Sequence, residues 1–334
     1  MKGTVVSVRG ISKSYKIMIE RKEVIRKVLD NIFFDVKEGE ILGVLGPNGA
    51  GKTTLFKIIS GVLKPDKGDV LVYGHSVVKE PEIVKKYVTM IGGQGGIGLF
   101  FHLNVIDNLR FFAKLYDISP NVAKIRIKEA LEVLGLGEYS KLPVLYLSSG
   151  LRQRTLLAKA LIVRSPILIF DEPTLGLDPI IANQIREFIR NYLSSEEKVT
   201  ILFSSHYPEE IELLCDRVII LHNGKVIFSE YIQNIVAKTN TINVTIELAK
   251  ENNISWSTLL ANIKERGVEN IIVNSNKSIT IIMKNRVFDK VIKEIVNTIE
   301  KTFKLKIRSI KVNKPSLRDI YLKLLKGDIN DKNY

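Results

Sequence analysis

The chain has 334 residues, enough for about two domains of ordinary size, and its 45% hydrophobic and 26% charged residues exclude a largely disordered protein. The single cysteine, Cys215, excludes an internal disulfide, favours a reducing compartment and is expected to be a small buried apolar residue. Basic residues outnumber acidic ones by 50 to 36, a net charge of +14, so an anionic partner such as a nucleotide, a nucleic acid or a membrane surface is expected.

Short apolar runs alternate with helical patterns in the first part of the chain, which predicts strand-helix units around a parallel sheet. Three runs that are bounded by glycine or polar residues are too short for helices and predict buried strands: 41–45, 167–170 and 199–203. A mainly helical subdomain is predicted over about 81–165, with these helices: 105–116, 122–134 and 149–163. A stretch of 20 uncharged residues, 87–106, contains five glycines and is therefore a poor membrane span.

The Asn223-Gly224 pair between two apolar runs predicts a β-hairpin, and the first domain is expected to close near residue 235. Residues 236–334 have 19 basic and 10 acidic residues and form a second, small basic domain in this interpretation. Their predicted elements, in the order strand, helix, strand, strand, helix, strand, are 242–248, 257–266, 268–274, 278–283, 286–301 and 303–307. This order is typical of a ferredoxin-like α+β domain, followed here by a helix over 316–325 with Ser316 as N-cap.

A glycine-rich segment between a predicted strand and a predicted helix carries the strongest motif of the sequence. Gly46-Pro47-Asn48-Gly49-Ala50-Gly51-Lys52-Thr53 has two glycines separated by four residues and followed by Lys and Thr, the pattern of a phosphate loop. Its backbone N–H groups and the start of the next helix would cradle phosphates, while Lys52 reaches the β- and γ-phosphates. The Thr53 hydroxyl is then a ligand for Mg²⁺.

Two carboxylates follow the predicted strand 167–170. Asp171 and Glu172 would lie at the carboxyl edge of a parallel sheet, where ligands bind in such folds. Asp171 is the expected second partner of Mg²⁺, and Glu172 is the expected acceptor that orients or deprotonates the attacking water. The fold class predicted from these observations is an α/β phosphate-loop NTPase core with a parallel sheet, an antiparallel edge and a helical insertion.

Residues 6–235 carry these motifs in the order in which they occur in the ATP-binding subunits of ABC transporters, and the sequence resembles that family. Gly46 to Thr53 and the Asp171-Glu172 pair match its Walker A and Walker B motifs. Residues 147–154, Leu-Ser-Ser-Gly-Leu-Arg-Gln-Arg, resemble the family signature Leu-Ser-Gly-Gly-Gln, with Ser149 and Leu151 as departures. The resemblance implies that Ser148 and Gly150 contact the γ-phosphate held by a second subunit.

Four further roles come from the resemblance alone. Asp178 matches the acid of a loop at the dimer contact, and His206 matches a switch histidine that contacts the γ-phosphate. Gln94 occupies the place of a glutamine that ligates Mg²⁺, and Tyr15 that of an aromatic residue stacking on adenine. Gly93, Gly95 and Gly98 also fit a dinucleotide fingerprint, but no predicted helix opens there. The expected ATP-binding residues are therefore Tyr15, Gly46, Pro47, Asn48, Gly49, Ala50, Gly51, Lys52, Thr53, Thr54 and Gln94.

The resemblance implies an ATPase with ATP and Mg²⁺ as its cofactors that works as a head-to-tail homo- or heterodimer. The small second domain ending in residues 315–321, Pro-Ser-Leu-Arg-Asp-Ile-Tyr, resembles export ATPases that pair with a separate polytopic membrane permease, including drug-resistance and polysaccharide or lipid exporters. Such a subunit is cytoplasmic and peripheral on the inner face of the cell membrane. The catalytic residues would be Glu172, His206 and Lys52.

Two other functions compete with an export ATPase. A soluble mechanoenzyme on nucleic acid or ribosomes would explain the basic tail, but such relatives carry two ATPase units or a long coiled coil, so nucleic acid is the less favoured partner. A phosphate-loop kinase would explain Lys52 and Thr53 but neither the signature segment nor His206. The alternation of Lys304, Lys306 and Arg308 with apolar residues predicts a basic face on one strand, either simply solvated or used for an anionic partner.

Overall fold

The structure is a computed structural model that describes residues 3–19, 22–92, 98–238, 241–249, 268–284, 288–302, 304–313 and 316–325. The chain divides into two compact units, Met1–Glu230 and Tyr231–Tyr334. The predicted boundary, between residues 235 and 236, lies five residues after the boundary in the structure. No helix within the described ranges combines the length and the apolar character that a membrane crossing requires.

The first unit contains two sheets and the helices that connect their strands. Its strands are β1 (Thr4–Ile19), β2 (Lys22–Lys37), β3 (Ile41–Leu45), β4 (Lys67–Val72), β5 (His75–Ser76), β6 (Val88–Gly92), β7 (Ile167–Asp171), β8 (Thr200–Ser205), β9 (Arg217–His222) and β10 (Lys225–Tyr231). Its helices are α1 (Lys52–Ile59), α2 (Pro81–Tyr87), α3 (Val105–Leu115), α4 (Pro120–Val133), α5 (Ser149–Val163), α6 (Pro179–Glu187) and α7 (Pro208–Leu214). The segment Phe188–Glu196 continues α6 with wider helical turns, and Val144–Tyr146 forms a short 3₁₀ turn.

The larger sheet has the strand order β10-β9-β3-β8-β7-β6. The strands from β9 to β6 run parallel, and all residues of β3 and β8 are buried because both faces of the sheet are covered. The predicted α/β fold with a parallel sheet is confirmed. Parallel strands end at a common edge, so the loop after β3, the end of β7 and the residue after β8 are brought together.

The smaller sheet, β2-β1-β4-β5, is antiparallel and packs over α1. Val8 of β1, Phe56 of α1 and Leu42 of β3 belong to one buried cluster. Burying such side chains contributes about 1.5–3 kcal/mol each relative to exposure. This cluster fixes α1, and with it the loop that precedes α1, between the two sheets.

The predicted hairpin between β9 and β10 turns at Asn223 and Gly224, whose φ angles are 46° and 73°. Positive φ at both central residues is the geometry that Asn-Gly favours in a two-residue turn. A Cβ on Gly224 would lie 2.6 Å from the carbonyl oxygen of Val28, and the N–H of Asp30 donates to the carbonyl of Gly224 at 2.8 Å. The turn therefore packs directly on the backbone of β2.

The helices α3, α4 and α5 form the predicted helical part and pack on one another. Their inward faces carry apolar residues at helical spacing, such as Leu109 and Phe112 of α3 and Ile127 of α4. The range predicted as helical, 81–165, also includes β6, which pairs with β7 in the parallel sheet. That range is thus helical only in part.

The second unit contains α8 (Ile232–Lys238), β11 (Thr241–Leu248), β12 (Val268–Ser275), β13 (Ser278–Lys284), α9 (Phe288–Asn297), β14 (Ile307–Asn313) and α10 (Leu317–Leu325). Its antiparallel sheet has the order β12-β13-β11-β14, with a buried core that includes Ile246, Ile281 and Ile295. The first and third strands are central, as in a split β-α-β fold. The helix predicted over 257–266 lies outside the described residues. Ser316 caps α10, and the N–H of Asp319 donates to its hydroxyl at 3.4 Å.

The last strand of the second unit lies further along the chain than predicted. The structure puts β14 at Ile307–Asn313 and not at 303–307, so Lys304 and Lys306 precede the strand and only Arg308 lies in it. Lys304 takes a left-handed φ of 52°, which breaks the extended backbone that the alternation implied. The predicted basic face of one strand is therefore wrong.

Candidate nucleotide-binding site

The phosphate-loop residues lie between β3 and α1, as predicted, and the last two of them, Lys52 and Thr53, begin α1. A Cβ on Gly46 would lie 2.3 Å from the carbonyl oxygen of Leu221, and a Cβ on Gly51 would lie 2.8 Å from that of Val28. Gly51 also has a φ of 106°, a conformation that residues with side chains rarely adopt. Backbone packing from β9 and β2 therefore requires glycine at both positions.

Lys52 turns its side chain back into this loop and is only 5% exposed. Its Nζ donates to the carbonyl oxygens of Gly46 at 2.7 Å and Pro47 at 3.2 Å, and it lies 3.0 Å from Oε1 of Glu172. A buried ammonium needs such partners, because an unpaired charge away from water is costly. Lys52 is thus held at the centre of the loop by carbonyl groups and one carboxylate.

A chain of hydrogen bonds joins the ends of β7 and β8 to α1. The Thr53 hydroxyl donates to Oδ2 of Asp171 at 2.7 Å, and the Ser204 hydroxyl donates to Oδ1 of the same carboxylate at 2.7 Å. The Ser204 oxygen also accepts the backbone N–H of Glu172 at 3.0 Å. Glu172 has a φ of +52°, an uncommon value for a residue with a side chain. Ser204 therefore holds Glu172 in an unfavourable conformation that aims its carboxylate at Lys52.

His206 lies directly after β8, beside the same carboxylate. Its Nδ1 is 3.5 Å from Oε2 of Glu172, and its ring centroid is 3.9 Å from that of Tyr207. At 3.5 Å the contact is longer than a well-formed hydrogen bond, and Nδ1 is buried with no hydrogen-bond partner among the described residues. Oε1 of Glu172 thus faces the ammonium of Lys52, and Oε2 faces the imidazole of His206.

A cleft of about 670 Å³ opens over these groups. Tyr15 of β1 lies in its wall and is 38% exposed. The residues lining the cleft are Tyr15, Ile17, Arg26, Val28, Asn48, Gly49, Gly51, Lys52, Thr53, Thr54, Lys57, Met90, Gly92, Asp171, Glu172 and Leu175. Most of the predicted ATP-binding residues therefore share one cavity.

Mg²⁺ is the metal that the predicted donors fit. Thr53 and Asp171 offer hydroxyl and carboxylate oxygens, which Mg²⁺ prefers and which it supplements with waters and substrate phosphates. No group of three or more His, Cys, Asp or Glu side chains suited to a metal occurs in the described part of the chain. Gln94, the third predicted ligand, lies outside the described residues.

The signature residues begin α5. Ser148 is its N-cap, and the N–H of Leu151 donates to the Ser148 hydroxyl at 3.3 Å. Gly150 is buried against Ile181, where a Cβ would lie 3.0 Å from Cγ2. Ser149 is the first residue of the helix. Among the described residues that line the cleft, none comes from 148–151.

Asp178 caps the next helix along the chain. Its Oδ1 accepts the N–H of Ile180 at 2.8 Å, at the start of α6, and the residue is exposed. A capping role explains why an acid occurs there.

Ser204 as a bridge and Arg26 as part of the cleft wall carry no signal in the sequence. Ser204 is a small polar residue at the end of a buried strand, and nothing local distinguishes it from other serines. Arg26 lies in an exposed stretch of β2, far along the chain from the phosphate loop. Both enter the site through strand pairing, which no local motif encodes.

Comparison with known proteins agrees with this geometry. A family model described as ABC transporter matches residues 29–175. The ABC transporter ATP-binding protein NatA of Bacillus subtilis is 41% identical over 209 residues, which are 63% of this chain and 83% of NatA. The chain belongs to the ATP-binding proteins of ABC transporters. Daunorubicin resistance ATP-binding protein DrrA3 of Streptomyces coeruleorubidus is 33% identical to this chain, and the match covers 74% of this chain and 75% of DrrA3.

Solved structures of ATP-binding cassettes support the assignment. A dimeric cassette in a post-hydrolysis state, bound to ADP and Pi, has a TM-score of 0.60 at 25% identity and covers 68% of this chain and 98% of its own. cbiO1 from Clostridium perfringens, part of the ABC transporter complex cbiONQ, has a TM-score of 0.59 at 26% identity, with 70% of this chain and 91% of its own covered. The chain is thus an ATPase of the ABC family that binds ATP.

Proposed function

We propose that this ABC ATPase powers export of a substrate through a separate membrane permease and sits on the inner face of the membrane through that permease. Several relatives support an export role by their names. The linearmycin resistance ATP-binding protein LnrL of Bacillus subtilis is 37% identical, and the bacitracin transport ATP-binding protein BcrA of Bacillus licheniformis is 38% identical. This chain spans 64% of the length of each. The ATPase is the common part, so the choice of substrate would lie with the permease.

The observation that carries the catalytic proposal is that Lys52, Thr53, Asp171 and Glu172 line one cleft, and that Nδ1 of His206 lies 3.5 Å from the Glu172 carboxylate. The phosphate loop binds the phosphates with its N–H groups, and Lys52 neutralises the β- and γ-phosphates. Thr53 and Asp171 would hold Mg²⁺, which would supply positive charge next to the phosphates. Glu172 accepts the proton of the attacking water, and His206, beside Glu172, contacts the γ-phosphate.

Glu172 and a γ-phosphate would compete for the same cation, Lys52. In the structure Oε1 of Glu172 lies 3.0 Å from Nζ of Lys52, the cation that a γ-phosphate would contact. When ATP takes Lys52, Glu172 loses this partner and becomes available to a water molecule.

The signature residues would complete a second copy's site. Because residues 148–151 are absent from the described wall of the cleft, a contact from Ser148 and Gly150 to the γ-phosphate requires a head-to-tail dimer. The exposed Asp178 would contribute to the same dimer contact. ATP then holds two subunits together and hydrolysis releases them, so that closing and opening drive the attached permease. Solved cassettes of the family include dimers.

Glu172→Gln provides the test. The tagged variant and the wild type would be purified from native membranes in mild detergent with Mg-ATP, followed by mass spectrometry and a measurement of stoichiometry. We expect a polytopic membrane protein with both, and a stable pair of ATPase subunits only with Glu172→Gln, because loss of the base slows hydrolysis by about 10²–10⁴-fold.

The control is Glu132→Gln, which makes the same change at an exposed side chain of α4 that lies 3.8 Å from Lys128. A monomeric Glu172→Gln protein in Mg-ATP would contradict the dimer scheme. A nuclease-sensitive complex without a polytopic protein would contradict the export proposal and favour the mechanoenzyme alternative.

A further inference from the structure

Arg26 of β2 is a cationic residue of the cleft that no motif marks. It lines the cleft together with Lys52 and Tyr15. A Cβ on Gly49, in the middle of the phosphate loop, would lie 3.6 Å from Nη2 of Arg26. The guanidinium is therefore at the outer side of the loop, whereas the ammonium of Lys52 is bound to carbonyl groups inside it.

Two backbone contacts fix this placement. The carbonyl of Val28, two residues further along β2, packs against Gly51 of the loop, so this part of the strand lies on the loop itself. Residues two apart on a strand share a face, and Arg26 and Val28 both line the cleft. Arg26 also pairs in register with Tyr15 of β1, so the two residues are direct cross-strand neighbours, and both line the cleft.

The guanidinium makes no hydrogen bond or ion pair with any residue in the described ranges. The two carboxylates of the cleft are engaged elsewhere, since Asp171 accepts from Thr53 and Ser204, and Glu172 pairs with Lys52. Lys27, the next residue along, points to the other strand face and forms an ion pair with Asp30. Arg26 therefore has its hydrogen-bonding capacity free at the point where a nucleotide would lie.

We propose that Arg26 binds the phosphate chain of the bound nucleotide from the Gly49 side of the loop, opposite Lys52. The proposal rests on ATP binding in this cleft. A guanidinium presents two parallel N–H donors that match phosphate oxygens, and such charged hydrogen bonds are stronger than neutral ones. Because Gly49 has no side chain, nothing separates the guanidinium from the loop. Arg26 is thus a nucleotide-binding residue that works with Lys52.

Two probes distinguish a contact with the phosphates from a contact with adenine. Isothermal titration calorimetry would measure the affinities of Mg-ATP and of Mg-tripolyphosphate, which has the phosphates of ATP but neither adenine nor ribose. The variants are Arg26→Ala, Arg26→Lys, Tyr15→Ala and Lys27→Ala, each with its thermal unfolding midpoint measured. Lys27→Ala makes the same charge change on the opposite face of the strand.

For Arg26→Ala we expect the affinity for both probes to fall by the same factor, about tenfold or more, as for loss of a hydrogen bond to a charged group. Arg26→Lys should recover part of this loss. Tyr15→Ala should weaken ATP binding alone, and Lys27→Ala should change neither affinity.

Three results would overturn the role of Arg26. They are an unchanged tripolyphosphate affinity in Arg26→Ala, a loss confined to ATP, or an equal loss in Lys27→Ala. A wild-type protein that binds tripolyphosphate but not ATP would instead contradict the adenine site at Tyr15 and leave Arg26 supported by its own variant.

Discussion

Gly46→Ala is the sharpest test of how the phosphate loop is packed. The added methyl group would lie 2.3 Å from the carbonyl oxygen of Leu221 in β9. Leu221 is fully buried in a strand of the central sheet, so the strand resists displacement and the loop has to move. No positive φ is involved at Gly46, and the effect of the substitution is purely steric.

The size of the effect follows from two distances. A carbon atom needs about 3.4 Å from an oxygen, so the contact of 2.3 Å requires a movement of about 1 Å. The carbonyl of Gly46 accepts from Lys52 at 2.7 Å, and a shift of that size breaks this hydrogen bond and misplaces the ammonium. The misplaced ammonium would no longer make its charged hydrogen bond to the phosphates, which is worth about 1.5–3 kcal/mol, so the affinity for Mg-ATP should fall by about tenfold or more.

Two other glycines provide controls. At Gly137 no heavy atom lies within 4 Å of the added methyl group, so Gly137→Ala should behave as wild type. At Gly43 the methyl group meets Ile211 at 2.6 Å and Cys215 at 2.9 Å, both of them side chains. Gly43→Ala should therefore lower the free energy of unfolding by about 1–3 kcal/mol without changing the affinity of the folded protein. Calorimetric titration with Mg-ATP and urea denaturation measure both quantities. Equal ATP affinities of Gly46→Ala and Gly137→Ala would refute this reasoning.

Two further predictions concern Ser204 and Cys215. Ser204→Ala removes the donor to Asp171 and the acceptor for the N–H of Glu172, so the free energy of unfolding should fall by about 1–3 kcal/mol and steady-state ATPase turnover by about tenfold. Urea denaturation and a phosphate-release assay check this, and unchanged turnover would show that Ser204 does not position the base. Burial raises the pKa of the Cys215 thiol well above its ordinary value, so the reactive thiolate stays scarce at pH 8. Iodoacetamide should therefore label the native protein slowly and the urea-unfolded protein fast; equal rates would contradict the burial of this side chain.

The sequence was sufficient for elements whose pattern is local. The runs that became β3, β7 and β8 are continuously apolar because both faces of the sheet are covered, and Asn223-Gly224 marks its hairpin by the backbone it favours. By contrast, β2 begins with exposed, mostly polar residues and is stabilised by pairing with β1, which no periodicity reveals. The shift of β14 to Ile307–Asn313 has the same origin, since pairing with β11 and not the alternation of lysines sets its position.

The site divides in the same way. Lys52, Thr53 and Asp171 could be recognised because phosphate binding demands particular residues at fixed spacing within one loop and one strand end. The Ser204 hydroxyl lies 2.7 Å from Asp171, and Nη2 of Arg26 lies 3.6 Å from the position of a Cβ on Gly49. Both placements depend on how separate strands pair. The roles of Ser148, Asp178 and Gln94 depend on a second subunit or on residues outside the described part, and they stay predictions.

The packing of Gly224 on Val28 bears on where a reporter can be attached. A surface turn such as 222–224 is ordinarily a tolerant place for an inserted tag or fluorophore-bearing loop. Here Gly224 packs against the carbonyl of Val28, which also packs against Gly51. A longer turn would therefore displace β2 and, with it, the nucleotide site. The open surroundings of Gly137 make that turn the better insertion point for labelled subunits in studies of ATP-driven movement.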